Sequence, residues 1–383
     1  MDDDKKYKTG RLRYFCLVGM VAALLAGCSV WIHLTPDRSY SAEERRMLTE
    51  RPKASLKSVM RGKFQKKYET YLSEQFPGRA QMVTLRTKWL RLLGERDANG
   101  VYFGREDYLL ERYRVQDFNW KHVRRNLRQT AAFLEAYPNA RVLFVPVKSS
   151  VLSDKLPMFA QTGGESRFFE LAEKKIPKEQ SISVADLLKS HNDEYIYYRT
   201  DHHWTTLGAY YGYEAWAESM GFVPIAKDQF TVETVSSTFL GTTYAKVRTG
   251  GKADEISLYE RNDGPEFVVD YNMGEFQSDS FYDRSMLEGD DPYSVFFGGN
   301  QALVDIRSLP EQKNGRTLLI LKDSFGNCFA PFAANHYART VVVDLRQVNI
   351  SVSKLMRAYP ADDILILYNS AQFMDDRQLD KLK

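Results

Sequence analysis

Short apolar runs separated by helical stretches constrain this chain more than any other feature. Residues 141–146 read Arg-Val-Leu-Phe-Val-Pro, and comparable runs recur at 294–297, 317–321, 340–343 and 363–368. A run apolar on both faces is the pattern of a strand buried in a parallel sheet. Helical stretches at 120–137, 205–220 and 329–337 separate several of them. Strands alternating with helices give an α/β sandwich with a largely parallel central sheet. Residues 101–103 and 108–110 flank Gly104 through Asp107 as a hairpin. Residues 225–292, rich in Gly, Asp and Tyr, break the alternation and are expected to form an insertion of short strands and loops.

Composition sets the class. The chain has 383 residues, 43% of them hydrophobic and 27% charged, which excludes wholesale disorder and a polytopic membrane protein. Lys and Arg number 53 against 50 Asp and Glu, so no nucleic-acid partner is expected. Of the three cysteines, Cys16 and Cys28 lie in the first apolar stretch, leaving Cys328 without a partner in the folded part. Neither a disulfide framework nor a thiolate zinc site can be built from them.

That first stretch, residues 14–34, has about the 20 residues a membrane-spanning helix needs. Lys5, Lys6, Lys8, Arg11 and Arg13 precede it, and no Lys or Arg follows until Arg38. The positive-inside bias keeps the N-terminus in the cytoplasm and exports the remainder. Leu25-Ala26-Gly27-Cys28 resembles a lipoprotein cleavage box, which would lipidate Cys28. Val30 through Leu34 prolong the apolar run beyond it, so the uncleaved signal anchor is preferred. The expected organisation is a tail and anchor at 1–34, a juxtamembrane spacer with helices at 35–95, and a catalytic domain at 96–383. Two helical stripes fall in the spacer: Phe64, Tyr68, Tyr71 and Leu72, then Met82, Leu85, Trp89 and Leu92. Both are expected to pack onto the domain that follows.

Functional groups in such sheets gather at the carboxyl ends of strands. Residues 317–321 run into Lys322-Asp323-Ser324-Phe325-Gly326-Asn327 ahead of a helix. A serine at a strand-to-helix turn raises its hydroxyl above the sheet, and its N–H with the helix dipole can stabilise an oxyanion. It can equally be a helix cap. The second stretch is Tyr197-Tyr198-Arg199-Thr200-Asp201-His202-His203-Trp204, with two of the chain's six histidines adjacent. A serine hydroxyl needs a base, and the base needs a carboxylate to fix its tautomer. Asp201 and His203, two apart in a turn, can face one point. The alternatives are a metal site on Asp201, His202 and His203, which lacks a clear fourth ligand, or structural imidazoles.

The Asp201-His202-His203-Trp204 run resembles the signature of the DHHW proteins. These are relatives of the AlgX/AlgJ polysaccharide O-acetylation proteins in the SGNH-hydrolase-like superfamily. The resemblance spans about residues 40–383. It takes in Ser41 through Arg46, Glu69 through Arg79, Asn99 through Gly104, Pro146-Val147-Lys148 and the Lys322-Asp323-Ser324-Phe325 turn. It implies an SGNH-hydrolase-like three-layer sandwich, with Ser324 as nucleophile, His203 as base and Asp201 as orienting acid. His202 takes the variable position. The acid and base precede the serine, in the permuted order of the AlgX/AlgJ branch. The usual oxyanion blocks are not obvious; Gly298, Gly299 and Asn300, after an expected strand at 295–297, are the candidates by placement. Lys148, Tyr198, Arg199, Trp204, His202, Asn327 and Arg346 are candidates to line the cleft.

The implied activity is an extracytoplasmic serine O-acetyltransferase acting on a cell-surface polysaccharide through an acetyl-serine. Its implied donor is a membrane-bound O-acyltransferase, and no metal or organic cofactor is expected. A carbohydrate acetylesterase with the same triad and a non-catalytic polysaccharide-binding scaffold are the alternatives.

Overall fold

The computed structural model of the protein describes residues 2–310 and 315–383. The side chains of Lys5, Lys6, Lys8 and Arg11, which set the charge asymmetry, lie outside the described residues. The chain divides into two compact units, Met1–Trp89 and Leu90–Lys383.

In the first unit, one helix covers Asp2–Leu34. Its Arg13–Leu34 portion, 22 residues, is long and apolar enough to cross a membrane. Helices Leu56–Met60 and Lys63–Gln75 follow, and a further helix starts at Arg79. Gln75 ties the spacer down, taking the Arg38 N–H and donating to the Arg38 carbonyl. Glu44 accepts from both Arg46 and Arg79. Tyr71 is buried, whereas Met82, Leu85 and Trp89 are exposed.

In the second unit an eight-stranded sheet forms the middle layer. From one edge the strands are Phe276–Ser278, Glu266–Tyr271, Leu303–Leu309, Arg339–Asp344, Thr317–Lys322, Asp363–Asn369, Ala140–Val145 and Ser181–Ile182. The last five pair in parallel and the first three join antiparallel. Side chains alternate across the sheet. Val142, Leu319, Leu321 and Ile366 enter one apolar cluster, and Leu143, Leu318, Ile320 and Leu367 enter the other. Helices Thr206–Ser219 and Gly326–Ala334 cover the second cluster with Tyr213, Trp216, Phe329 and Phe332. Trp120–Ala136 and Gly164–Glu173 cover the first with Val123, Leu127 and Phe168. The result is the three-layer α/β sandwich with a mostly parallel sheet.

Two expectations are corrected. Residues 294–297 are not a strand: Pro292–Val295 is a 3₁₀ turn, and Phe297 has φ +59. Residues 225–292 are not all an insertion, because Glu266–Tyr271 and Phe276–Ser278 extend the main sheet. Only Phe230–Phe239 and Asp254–Arg261 pair apart from it.

The layering predicts a sharp contrast in stability. Ile320 is 0% exposed on the central parallel strand, and Val223 is 87% exposed. Ile320→Ala should cost about 2–5 kcal/mol in urea unfolding, and Val223→Ala less than about 0.5 kcal/mol.

Candidate active site

Strand Thr317–Lys322 lies between two parallel neighbours, so its carboxyl end opens at the middle of the sheet edge. The turn that follows is pinned by Asp323. Its Oδ1 accepts the Phe325 N–H at 2.9 Å and its Oδ2 accepts the Asn369 N–H at 2.8 Å. Ser324 sits half-buried at the top of this turn, directly before the helix Gly326–Ala334. No acceptor among the described residues takes the Ser324 N–H.

The loop ahead of helix Thr206–Ser219 supplies the partners. His203 Nε2 lies 2.7 Å from Ser324 Oγ, and His203 Nδ1 lies 2.5 Å from Asp201 Oδ1. A carboxylate only accepts, so Nδ1 carries the proton and Nε2 is left to accept from the serine hydroxyl. Asp201 also receives the His203 N–H at 2.9 Å and the Thr242 N–H at 2.7 Å. Thr242 reaches it because Gly241 has no side chain: a Cβ there would fall 2.2 Å from Asp201 Cβ. Burial works to raise the Asp201 carboxyl. His202, His203 and these hydrogen bonds nevertheless hold it well below the usual carboxylate range.

Two aromatic side chains join the distant stretches. The Trp204 indole donates to the Phe325 carbonyl at 3.1 Å. Tyr293 stacks on the His203 ring, centroids 4.0 Å apart, and its hydroxyl donates to the Ser324 carbonyl at 3.1 Å. Tyr293 was not singled out from the sequence, nor were Gly241 and Thr242.

The fit of a metal ion to Asp201, His202 and His203 is poor. Their ligand atoms lie within 4.8 Å of one another. Both oxygens of Asp201 already accept two hydrogen bonds each, and both nitrogens of His203 are engaged. The Thr242 hydroxyl donates to Asp201, so it accepts from His202 Nδ1 at 2.6 Å. Only His202 Nε2 remains as a donor atom.

The other sequence candidates separate. Asn300 is exposed, and its Oδ1 accepts from Lys322 Nζ and Asn327 Nδ2, each at 3.2 Å. Asn300 and Asn327 thus meet beside the Ser324 turn. Gly298 and Gly299 adopt φ +66 and +97 in the same loop, without the preceding strand that placed them. Tyr198 and Trp204 are fully buried, at 0% exposed each, whereas Lys148, 3% exposed, lines a small pocket with His202. Lys148 spends its ammonium on the carbonyls of Tyr198, Arg199 and Asp201 at 2.8, 3.2 and 2.6 Å. Arg199 lays its guanidinium over Tyr195 and Tyr108. Arg346 is taken up by both oxygens of Asp344. His202 keeps about a third of its side chain exposed.

Residues 173–343 match the family described as DHHW protein. Over those residues the chain is similar to that family. A DHHW family protein from Eubacterium siraeum is 22% identical, over 75% of this chain and 95% of that one, with a TM-score of 0.61. Bacillus cereus PatB1 with a sulfonyl adduct is 21% identical, over 73% and 96%, with a TM-score of 0.61. The O-acetyltransferase domain of Pseudomonas putida AlgJ is 12% identical, over 74% and 98%, with a TM-score of 0.43. The first two share the fold of this chain. No curated protein matches the chain. The matched residues contain Asp201, His203 and Ser324, so the whole hydrogen-bonded line falls inside the matched stretch.

The depressed Asp201 carboxyl gives a pH-dependent stability. Its folded value lies below the unfolded value of about 3.9, so its contribution is complete above about pH 4 and lost as pH falls further. Asp201→Asn should cost about 2 kcal/mol at pH 7. Urea unfolding of both proteins at pH 7 and at about pH 3 should show the gap narrowing in acid.

Proposed function

We propose that this chain is a serine O-acetyltransferase acting outside the cytoplasm on a cell-surface polysaccharide. The observation that carries the reading is the unbroken line from Asp201 through His203 to Ser324, at 2.5 and 2.7 Å. Ser324 Oγ attacks the carbonyl carbon of an acetyl ester while His203 Nε2 takes the hydroxyl proton. Asp201 holds the imidazolium that forms. The tetrahedral oxyanion is met by the Ser324 N–H at the head of helix Gly326–Ala334. Asn300 adds its amide N–H, because its oxygen already serves Lys322 and Asn327. Collapse expels the donor alcohol, which takes the proton from His203, and leaves acetyl-Ser324. A sugar hydroxyl then gives its proton to His203, attacks the acetyl carbon and restores the serine.

Water in place of the sugar makes the same site an acetylesterase. The apolar helix Arg13–Leu34 favours a tethered enzyme working at the cell surface. Acetyl-coenzyme A is not available there, so a membrane-bound O-acyltransferase is the donor that fits. The sulfonyl adduct named for PatB1 accords with an activated nucleophile in this fold.

The test uses para-nitrophenyl acetate and phenylmethylsulfonyl fluoride. The purified chain should release nitrophenol, and Ser324→Ala and His203→Ala should each be slower by at least about a thousandfold. The fluoride reagent should form one oxygen–sulfur bond at Ser324 with loss of fluoride, seen as a single mass increment on its peptide. Equal rates in wild type and Ser324→Ala, with the label elsewhere, would remove Ser324 from the reaction.

A further inference from the structure

A cavity of about 760 Å³ lies across the loop 298–301 from the Ser324 turn, walled by the edge strands Glu266–Tyr271 and Phe276–Ser278 and by residues from 280–301. Its relation to the Ser324 turn is set by four loop residues. Gly298 and Gln301 line the cavity, while Asn300 between them bonds to Lys322 and Asn327 on the nucleophile side. The loop thus forms a partition between the two. Gln301 braces it, donating to the carbonyls of Phe297 and Gly298 at 3.1 and 3.3 Å and accepting from Asn272 at 3.2 Å. Gly298, at φ +66, gives the partition its left-handed bend.

The walls have a definite chemistry. Phe276 is 60% exposed and lies against Tyr271, with ring centroids 5.4 Å apart, so it presents an apolar platform to the cavity. The amide oxygens of Asn272 and Gln301 stand beside it as acceptors, their N–H groups being spent on Glu275, Gln301, Phe297 and Gly298. Aromatic surface next to a few orienting polar groups suits a sugar ring, whose C–H face stacks while its hydroxyls bond. Charge narrows the choice. Asp283 gives Oδ1 to Ser285, and its Oδ2 accepts from no group among the described residues. A Cβ on Gly298 would lie 3.5 Å from that oxygen. Glu275 adds a second carboxylate, and the cation Arg284 is already held by Glu233 at 2.9 and 2.6 Å. The cavity is net acidic.

We propose that this cavity seats the acceptor glycan as a chain of neutral or amino-bearing sugars and excludes polyuronates, passing one hydroxyl across the Asn300 partition to Ser324. This rests on the reading of Ser324 as the acetyl carrier. Burying a polyuronate carboxylate against Asp283 and Glu275 would set like charges together without a counterion. A neutral ring meets no such penalty, and a glucosamine ammonium gains from both.

Calorimetric titration of the full-length Ser324→Ala chain in detergent tests it with three probes: cellohexaose, a glucosamine hexamer and hexagalacturonate. Binding of at least one of the first two is expected, and none of the third. Phe276→Ala should weaken that binding by about tenfold or more, with the melting temperature unmoved because the ring is exposed. Phe159, even more exposed, is the control: Phe159→Ala should leave affinity unchanged. Asp283→Asn should weaken the glucosamine hexamer and ease the exclusion of hexagalacturonate. Preference for hexagalacturonate, no binding of either other probe, or binding indifferent to Phe276→Ala overturns the proposal. Loss of the Ser324 dependence of ester cleavage would overturn the chemistry and leave these titrations standing.

Discussion

One buried loop, residues 198–201, is held from both sides by opposite charges acting on its backbone. The Lys148 ammonium gathers the carbonyls of Tyr198, Arg199 and Asp201. The Asp254 carboxylate takes the N–H groups of Arg199 and Thr200, at 2.6 and 2.7 Å, with the hydroxyls of Tyr195 and Thr200. Peptide dipoles lie between cation and anion, so each charge is solvated by the chain it orders. Burial lowers the Lys148 ammonium and Asp254 and Asp201 oppose it, which leaves it at about 8. With the backbone fixed there, Asp201 and His203 can point to one place.

The second half of the site is built by a different means. Ser324 belongs to a turn set on the central strand, and its orientation comes from Asp323, whose two oxygens bind its own turn and the start of the neighbouring loop at Asn369. Trp204 and Tyr293 then lock loop to turn, each with a hydrogen bond and ring contacts. Aromatic rings do this well because they fill the gap between the halves while a polar tip finds a carbonyl. The site is rigid for the same reason that the core is packed.

The parallel strands were legible because a strand buried on both faces cannot hide its composition, as at 317–321 and 363–368. Leu303–Leu309 was missed because Asp305, Arg307 and Ser308 interrupt its apolar pattern; Asp305 is spent on Arg307 and Arg339. Residues 294–297 misled in the opposite sense: Val295, Phe296 and Phe297 are core, but as a plug under the loop. Asp201, His203 and Ser324 stood out through residue type and setting. Asp254, Tyr293 and Gly241 did not, since their partners lie far along the chain and no local spacing marks them. Lys148 was noticed, but a lysine reads as surface until three carbonyls are seen around it.

The position of Asn369 has a consequence for how the molecule comes into being. Ser324's turn is completed by an N–H from the last strand of the sheet, and the strand bearing that turn is sandwiched between two strands that follow it in sequence. A chain emerging from its N-terminus therefore carries residues 201–203 well before the hydroxyl can be aligned with them. The contact between Ser324 and His203 is thus among the last in the molecule to be fixed, because it waits on the final strand.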